Sequence, residues 1–462
     1  MEHQRNIDSS ILREYDIRGV YDKTFFIEDA YAIGRAFGSL IVRNNGKKVV
    51  VSYDGRVSSP DLEAALVDGL KKCGLEVVRI GRGPTPMLYY AATTMEADGA
   101  VMVTASHNPK EYNGMKFMLA GKSFYGKQIQ ELGVQVAKGD VVPEGIGSVR
   151  KVDVVDEYVT RILKDFGITD RKLKVVWDNS NSAAGEVLTK LVQQLPGEHF
   201  VLNGTIDGNF PAHSPDPTVP KNLVQLQEEV AARKADLGIA FDGDADRIGV
   251  IDDKGNILWG DQLMIVYSRD ILPDHQGATI IADVKASQIL FEEVKKAGGN
   301  PLMWCTGHSL IKAKMAETKA LLGGEMSGHI FFADKWYGFD DALYVAVRTL
   351  DIVSRLKGPL SEITESLPKA ISTPEIRFDC PDDRKFTVVH EVAERLKAEK
   401  ADVVTIDGVR VNTPDGWWLL RASNTQASLV ARAESTTIEG LEKLKNALKT
   451  QLGNSGVELP EI

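Results

Sequence analysis

Short apolar runs alternate, in the first part of the chain, with stretches in which apolar residues recur every three or four positions. The run from Lys48 to Tyr53 predicts a buried strand. The spacing of Leu62, Leu66 and Leu70 predicts a helix after it, and Ser58–Pro60 is a typical helix start. Strands that alternate with helices in this way are typical of α/β domains whose strands run parallel.

The same succession of strand, polar loop and helix recurs twice more. Strands that end in Asp178 and Asp283 match the strand that ends in Asp54, and small polar residues follow each of them. Further along each copy a second short apolar strand ends in a polar loop; these loops span 104–110, 242–247 and 324–329. We interpret the pattern as a threefold internal repeat. Ligands bind beyond the carboxyl ends of strands in α/β sheets, so three such domains around one cleft would bring the three loops together.

After about Ser372 the pattern changes. A helix from Phe386 to Lys397 is followed by short strands and a closing helix; the strands are predicted near 403–411, 417–421 and 428–433, and the helix near 438–452. This order is typical of a separate α+β domain. The chain is therefore predicted to hold three α/β domains, at residues 1–150, 151–254 and 255–370, and an α+β domain at residues 371–462.

The composition is typical of a folded globular protein, because 43% of the 462 residues are apolar and 26% are charged. No apolar run approaches the roughly 18 residues of a membrane span, and the polar start is unlike a signal peptide. We therefore expect a cytoplasmic protein without a membrane partner. Three widely spaced cysteines predict neither disulfides nor a thiolate metal site. The formal charge of −10 argues against nucleic acid as a partner and requires any phosphate site to be local.

The segment 242–247 alternates carboxylates with small residues. Asp242, Asp244 and Asp246 can converge on one hard cation, and their oxygen ligands favour Mg²⁺ or Ca²⁺. The loop follows a strand and lacks the spacing of an EF-hand, which favours Mg²⁺. A purely structural loop is the less favoured interpretation, because unscreened carboxylates at this spacing repel one another. Arg247 directly after them can bind a phosphate with both of its terminal nitrogens.

Three further loops carry candidate chemistry. Ser106 follows an apolar strand in the turn 104–109 and is a candidate nucleophile. The segment 323–329 offers hydrogen-bonding side chains suited to sugar hydroxyls, and 421–425 offers a guanidinium, hydroxyls and an amide suited to an anion. Each of these loops alone would more often be an ordinary polar turn, so their weight comes from occurring together.

Taken in order, the four loops resemble the TASHNP, DGDxDR, GExSGH and RxSNT motifs of the α-D-phosphohexomutase superfamily. The resemblance extends from Arg13 to Arg421 and so covers nearly the whole chain. It implies three similar α/β domains with mixed sheets and a mobile fourth domain around a central cleft. It also implies reversible transfer of phosphate between C1 and C6 of mannose or glucose phosphates, through a phosphoserine and a hexose 1,6-bisphosphate, with Mg²⁺. A phosphoglucosamine mutase, a phosphoserine-dependent sugar phosphatase and a sugar-phosphate sensor are the alternatives.

The resemblance assigns roles to individual residues. Ser106 would be phosphorylated and would bind the metal together with Asp242, Asp244 and Asp246, while Arg18, His107, Lys116 and Arg247 would surround the phosphoryl group. The expected substrate contacts are Tyr15, Lys285, His308, Glu325, Ser327, Arg421, Ser423, Asn424 and Thr425. A proton must move to and from the sugar hydroxyl, for which Lys116 and His329 are the candidate acid and base in either order. The sequence does not fix the oligomeric state, and a monomer is the simplest expectation.

Overall fold

The computed structural model describes residues 4–167, 169–424 and 427–460, and within them it contains four β-sheets in succession along the chain. The first sheet has the strand order β1-β5-β4-β2-β3-β7, with β6 beside β5. Its strands are β1 (Ile17–Val20), β2 (Lys48–Tyr53), β3 (Glu76–Arg82), β4 (Gly99–Val103), β5 (Tyr112–Leu119), β6 (Lys122–Phe124) and β7 (Ser148–Lys151). The helices of this unit are α1 (Ile27–Arg43), α2 (Ser59–Lys71), α3 (Thr85–Thr94) and α4 (Lys127–Lys138).

Alternate residues of the central strands serve two different cores. On β2, Val49 and Val51 pack in one apolar cluster with Leu62 and Leu66 of α2. Val50 points to the opposite face and packs with residues of α3 and of the two following units. The first unit is thus covered by helices on one face and joined to the rest of the molecule through the other.

The second and third units repeat the arrangement of the first. The second contains α5 (Val155–Leu163), β8 (Leu173–Asp178), α6 (Gly185–Val192), β9 (Gly197–Leu202), α7 (Val224–Arg233), β10 (Leu237–Phe241), β11 (Ile248–Asp252) and β12 (Ile257–Leu258). The third contains α8 (Gly260–Ile271), β13 (Thr279–Asp283), α9 (Gln288–Lys296), β14 (Asn300–Trp304), α10 (His308–Thr318), β15 (Leu322–Gly324), β16 (Ile330–Phe332), α11 (Ala342–Arg355) and α12 (Leu360–Ser366).

The three sheets share one strand order, β3-β2-β4-β5, β9-β8-β10-β11 and β14-β13-β15-β16, which confirms the threefold repeat. The first three strands of each set run parallel, as the sequence pattern predicts. The fourth is antiparallel, which confirms the mixed sheets that the resemblance implies, although the alternation of strands and helices by itself indicated only parallel strands. The reason is the short loop before it, because a short connection can join only antiparallel neighbours, whereas a parallel pair needs a long crossover.

The fourth unit is an antiparallel sheet with two helices and its own apolar core. It contains β17 (Ile371–Ser372), β18 (Ile376–Asp379), α13 (Asp382–Ala398), β19 (Asp402–Val404), β20 (Val409–Thr413), β21 (Gly416–Ala422), β22 (Ser428–Ser435) and α14 (Ile438–Gly453). The first three units instead share one continuous core. Within the described part of the chain, every helix is too short or too polar to cross a membrane. The domain boundaries at 150, 254 and 370 stay predictions.

Candidate active site

The loop between β4 and β5 holds Ser106 in a conformation that is unusual for a residue with a side chain. The φ angle of Ser106 is +50°, in the left-handed region, and its side chain is buried. Its backbone N–H donates to Thr104 Oγ1 at 2.9 Å. Its hydroxyl donates to Asp242 Oδ2 at 2.7 Å, and His107 Nδ1 lies 3.3 Å from the Ser106 hydroxyl oxygen. Strained backbone of this kind is concentrated at functional sites.

The equivalent loop of the second unit, between β10 and β11, carries the carboxylates of Asp242, Asp244 and Asp246. All three are completely buried, and each has an oxygen within 4.8 Å of the others. Gly243 lets this loop approach the serine loop, because a Cβ at Gly243 would lie 2.3 Å from the Ser106 carbonyl oxygen. The loops of the first and second units are thus in direct contact.

These carboxylates fit a divalent cation. Burial and the charges of Asp246 and Asp244 raise the pKa of Asp242 well above its ordinary value. Asp244 Oδ1 is buried and accepts no hydrogen bond from any residue that the structure describes. The donors are all hard oxygens, as Mg²⁺ prefers, and the Ser106 hydroxyl is in contact with one of them. A cation here would relieve the repulsion among the carboxylates.

Cationic groups surround the same cluster. The Lys116 ammonium donates to Asp244 Oδ2 at 2.7 Å and also to Asp246 Oδ2. The backbone N–H of Thr85, in the first turn of α3, donates to the Asp244 carbonyl oxygen at 2.9 Å. Arg18 donates to Asn108 Oδ1 at 2.7 Å, directly beside the serine loop. Two cationic side chains, Lys116 and Arg18, therefore lie against the aspartate and serine loops, each with a carboxylate partner.

The third unit contributes Glu325, Ser327 and His329 from the loop between β15 and β16. His329 Nε2 lies 3.2 Å from Asp246 Oδ1, and Nδ1 lies 2.9 Å from Glu325 Oε2 and 3.1 Å from the Ser327 hydroxyl. Burial alone would lower the pKa of His329, but Asp246 and Glu325 outweigh it and raise the pKa to about 9. Arg247 Nε lies 3.4 Å from His329 Nε2. The three equivalent loops therefore meet around one point.

The fourth unit closes the cleft from the other side. Asn424 donates to the hydroxyl of Tyr15 at 2.8 Å, and that hydroxyl donates to the carbonyl of Thr306 at 2.7 Å. Arg421 donates to Asp407 Oδ2 at 3.0 Å. The first, third and fourth units are joined at this point.

Several other residues expected at the site lie at the same junction. The Ser423 N–H donates to the Ser428 carbonyl at 2.9 Å, in the loop before β22. Lys285 forms an ion pair with Glu375 at 2.9 Å and so bridges the third and fourth units. His308 stacks on His329 with ring centroids 5.3 Å apart. Thr425, the remaining residue of the expected anion loop, lies outside the described residues.

Sequence reasoning missed several residues that hold the site together. Asp340 is completely buried, lies 3.3 Å from His308 Nδ1 and accepts a hydrogen bond from Lys312 at 2.8 Å. Arg56 is completely buried beneath the serine loop. The only sequence signal for Arg56 is its place two residues after a strand-end aspartate, and nothing in that spacing distinguishes it from a surface arginine.

Comparison with known proteins identifies the four units. Phosphoglucomutase/phosphomannomutase domains match in order: alpha/beta/alpha domain I at residues 9–141, domain II at 156–255, domain III at 259–371 and the C-terminal domain at 375–451. A phosphomannomutase/phosphoglucomutase of Pseudomonas aeruginosa is 44% identical over 454 residues, which cover 98% of each chain. A phosphoglucomutase of Neisseria meningitidis is 41% identical, over 96% of this chain and 97% of its own.

A solved structure extends the likeness to three dimensions. The crystal structure of a phosphoglucomutase/phosphomannomutase family protein from Burkholderia thailandensis superimposes with a TM-score of 0.93 at 43% identity. The match covers 98% of this chain and 100% of the other. Likeness over whole chains, and not over one domain, therefore includes all four loops of the cleft.

Proposed function

The chain belongs to the phosphoglucomutase/phosphomannomutase family, and we propose that it moves phosphate between C1 and C6 of mannose and glucose phosphates. Ser106 carries the phosphoryl group, and a hexose 1,6-bisphosphate is the intermediate that turns around in the cleft. One observation carries the proposal: the Ser106 hydroxyl lies 2.7 Å from the first of three buried, clustered carboxylates. A nucleophile in contact with a cation site is the arrangement that phosphoryl transfer requires.

We propose Mg²⁺ as the cation, held by Asp242, Asp244, Asp246 and an oxygen on Ser106. When bound, it supplies neutralisation of the charge that develops on the transferring phosphoryl group. Lys116, Arg18 and Arg247 add fixed positive charge at the same place, where electrostatic stabilisation acts most strongly because water is excluded. Lys116 is a poor proton carrier, because its two carboxylate partners raise its pKa and keep the ammonium protonated.

We assign the proton-donor role to His329. The imidazole lies between Asp246 and Glu325, and Glu325 orients the ring through Nδ1 at 2.9 Å. We propose that Glu325 and Ser327 also bind the sugar hydroxyls. Because the sugar must bind in two opposite orientations, contacts to shared hydroxyls serve better than a tight pocket, and discrimination at C2 is weak. Activity on both mannose and glucose phosphates follows.

The distal phosphate of the sugar binds at the loop before β22. Arg421, Ser423 and Asn424 supply a guanidinium, a hydroxyl and an amide there, and the resemblance adds Thr425. The bond from Asn424 to Tyr15 keeps this loop closed over the cleft. A closed cleft excludes water, which would otherwise hydrolyse the phosphoserine. We further propose that the protein acts as a cytoplasmic monomer.

The experiment is a coupled assay on mannose 1-phosphate, glucose 1-phosphate and glucosamine 1-phosphate, with Mg²⁺ and a trace of glucose 1,6-bisphosphate. We expect the 6-phosphates of mannose and glucose, no turnover with EDTA and recovery on adding Mg²⁺. Ser106→Ala should be inactive. Ser180→Ala is the matched control, because Ser180 is also buried, at a strand end and in the left-handed region, with φ of +52°.

Each other outcome identifies a different function. Release of inorganic phosphate in place of the 6-phosphate would indicate a phosphatase, and preference for glucosamine 1-phosphate would indicate a phosphoglucosamine mutase. Binding of sugar phosphate without any product would indicate a sensor. Full activity of Ser106→Ala would refute the proposal for all of these substrates.

A further inference from the structure

The Arg56 side chain donates all of its hydrogen bonds to the loop that carries Ser106 and to the residues next to that loop. A guanidinium has five N–H groups. In Arg56 one terminal nitrogen donates to the carbonyls of Ser106 and Asn108, both at 2.7 Å. The other donates to the carbonyls of Pro109 at 2.7 Å and Tyr112 at 3.0 Å. Nε donates to Asp54 Oδ2 at 3.1 Å, so every N–H group of the side chain has a partner.

The serine loop needs such a donor. Residues 104–111 lie between β4 and β5 and are outside both helix and strand, and among the described residues the carbonyls of Ser106 and Asn108 accept no backbone N–H group. Ser106 in addition has a positive φ, a conformation that a side-chain-bearing residue adopts only when its surroundings enforce it. Four carbonyl bonds from one rigid, planar group are a constraint of this kind.

Arg56 is itself held in place. Asp54 Oδ1 accepts a hydrogen bond from the backbone N–H of Arg56 at 2.9 Å and from the Ser59 hydroxyl at 2.6 Å. Asp54 Oδ2 accepts from the Thr104 hydroxyl at 2.8 Å, and Thr104 in turn accepts from the N–H of Ser106. The backbone of Ser106 is thus bonded on its N–H side through Thr104 and on its carbonyl side through Arg56, and both bonds lead back to Asp54.

We propose that Arg56 is a positioning residue for phosphoryl transfer, which fixes the Ser106 hydroxyl against Asp242 without touching the substrate. The inference rests on the proposed function of Ser106. The role of Arg56 differs from the one proposed for Arg18 and Arg247 at the phosphoryl group, because the guanidinium of Arg56 has no N–H group left for a phosphate. Arg56 acts on the rate of the chemical step through the position of another residue.

The test compares Arg56→Lys with Arg35→Lys as a matched control. An ammonium has three N–H groups and cannot replace the planar fork of the guanidinium. Arg35 is also a buried arginine of the first unit, but it donates to the Val142 carbonyl, far from the serine loop. We expect Arg56→Lys to lower kcat roughly 100-fold, the size of effect produced by about 1 Å of misplacement. KM should change by less than about threefold, because no substrate contact is lost.

The second readout is the rate at which Ser106 takes up radiolabelled phosphate from glucose 1,6-bisphosphate. In Arg56→Lys this rate should fall in the same proportion as kcat, whereas Arg35→Lys should match the unmodified protein in both. Labelling and kcat of Arg56→Lys at the unmodified rate would overturn the inference and leave the proposed function standing. Failure of the unmodified protein to label at Ser106 would overturn the proposed function, and the inference with it.

If Arg56→Lys does not fold at the assay temperature, Asp54→Asn keeps the inference testable. This isosteric change retains Arg56 but weakens the acceptor of its Nε, so the guanidinium is held less firmly. We expect a loss confined to kcat and to the labelling rate, smaller than that of Arg56→Lys. Unchanged kcat in folded Asp54→Asn would overturn the inference, and folding is checked by near-ultraviolet circular dichroism.

Discussion

Replacing Lys116 with methionine should create a stability defect that Mg²⁺ repairs. Lys116 is 4% exposed and contacts two fully buried carboxylates, Asp244 and Asp246. With Asp242 the cluster carries three carboxylates, and the lysine is one of the charges that offset their repulsion in the absence of a metal ion. Methionine fills nearly the same volume without the charge, and the carboxylates are then left buried with too little compensation.

The size of the defect follows from the geometry. Removing one partner of a buried ion pair costs about 3–5 kcal/mol, because the remaining charge stays desolvated and unpaired. A bound divalent cation supplies the missing charge. Because Mg²⁺ also stabilises the unmodified protein, saturating Mg²⁺ repairs the deficit only as far as the variant binds it more tightly, by about 2.7 kcal/mol for a 100-fold lower Kd. In Lys116→Met the cation no longer competes with an ammonium, so it should bind more tightly than in the unmodified protein.

The assay is urea unfolding followed by circular dichroism, with EDTA or with saturating Mg²⁺. Lys312→Met is the matched control, because it also removes a lysine from a buried carboxylate. That carboxylate, Asp340, is not one of the three clustered aspartates. We expect a deficit of about 3–5 kcal/mol in EDTA for both variants. Mg²⁺ should remove most of it in Lys116→Met and little of it in Lys312→Met. Equal deficits with and without Mg²⁺ in Lys116→Met would refute the reasoning.

Further predictions test single features of the site and its scaffold. Gly243→Ala should lower kcat roughly 100-fold, since its Cβ would lie 2.3 Å from the Ser106 carbonyl and push the two loops apart; steady-state kinetics measures this. Ala245→Gly should keep full activity and change stability by less than about 1 kcal/mol, because relief of its φ of +55° offsets the lost buried methyl; urea unfolding measures this. Tyr15→Phe should raise KM by about 5–100-fold, as expected for loss of the two hydrogen bonds that join the Tyr15 hydroxyl to Asn424 and Thr306. Burial raises the pKa of Asp341 to about 7, so between pH 4 and 7 the folded state holds a proton that the unfolded state releases. The contribution of Asp341 to the free energy of unfolding therefore falls by about 1.4 kcal/mol for each pH unit of increase in that range. The free energy of unfolding of Asp341→Asn, measured across that range, should lack this fall. The same pH dependence in Asp341→Asn and in the unmodified protein would contradict the assignment.

The sequence predicted the elements that carry strong periodicity. The helix with Leu62, Leu66 and Leu70 spans Ser59–Lys71, and the closing helix spans Ile438–Gly453. The helix expected from Phe386 instead begins at Asp382, because its first turn is polar and has no apolar period. The region expected as strand near 403–411 is two antiparallel strands, since the turn at Gly408 has a positive φ that the apolar pattern does not reveal.

The sequence also predicted where the chemistry lies but not what supports it. The spacing of carboxylates at a strand end was sufficient to propose a metal site at the three aspartates, whereas Ser106 gained its weight from occurring together with the other loops and from the resemblance. Arg56 and Asp340 carry no such signal, because their partners are backbone carbonyls and side chains brought close only by folding. Contacts that join distant parts of the chain, such as Tyr15 to Asn424, could be inferred only through the resemblance to known enzymes.

Transfer of phosphate from Ser106 to sugar is the central claim, and a chase experiment tests it most directly. Protein labelled with radioactive phosphate from glucose 1,6-bisphosphate is isolated and mixed with unlabelled glucose 1-phosphate and Mg²⁺. We predict that the label maps to Ser106 by peptide mass spectrometry and then moves into hexose phosphate within one turnover. Label that maps to another residue, stays on the protein or appears only as inorganic phosphate would contradict the account.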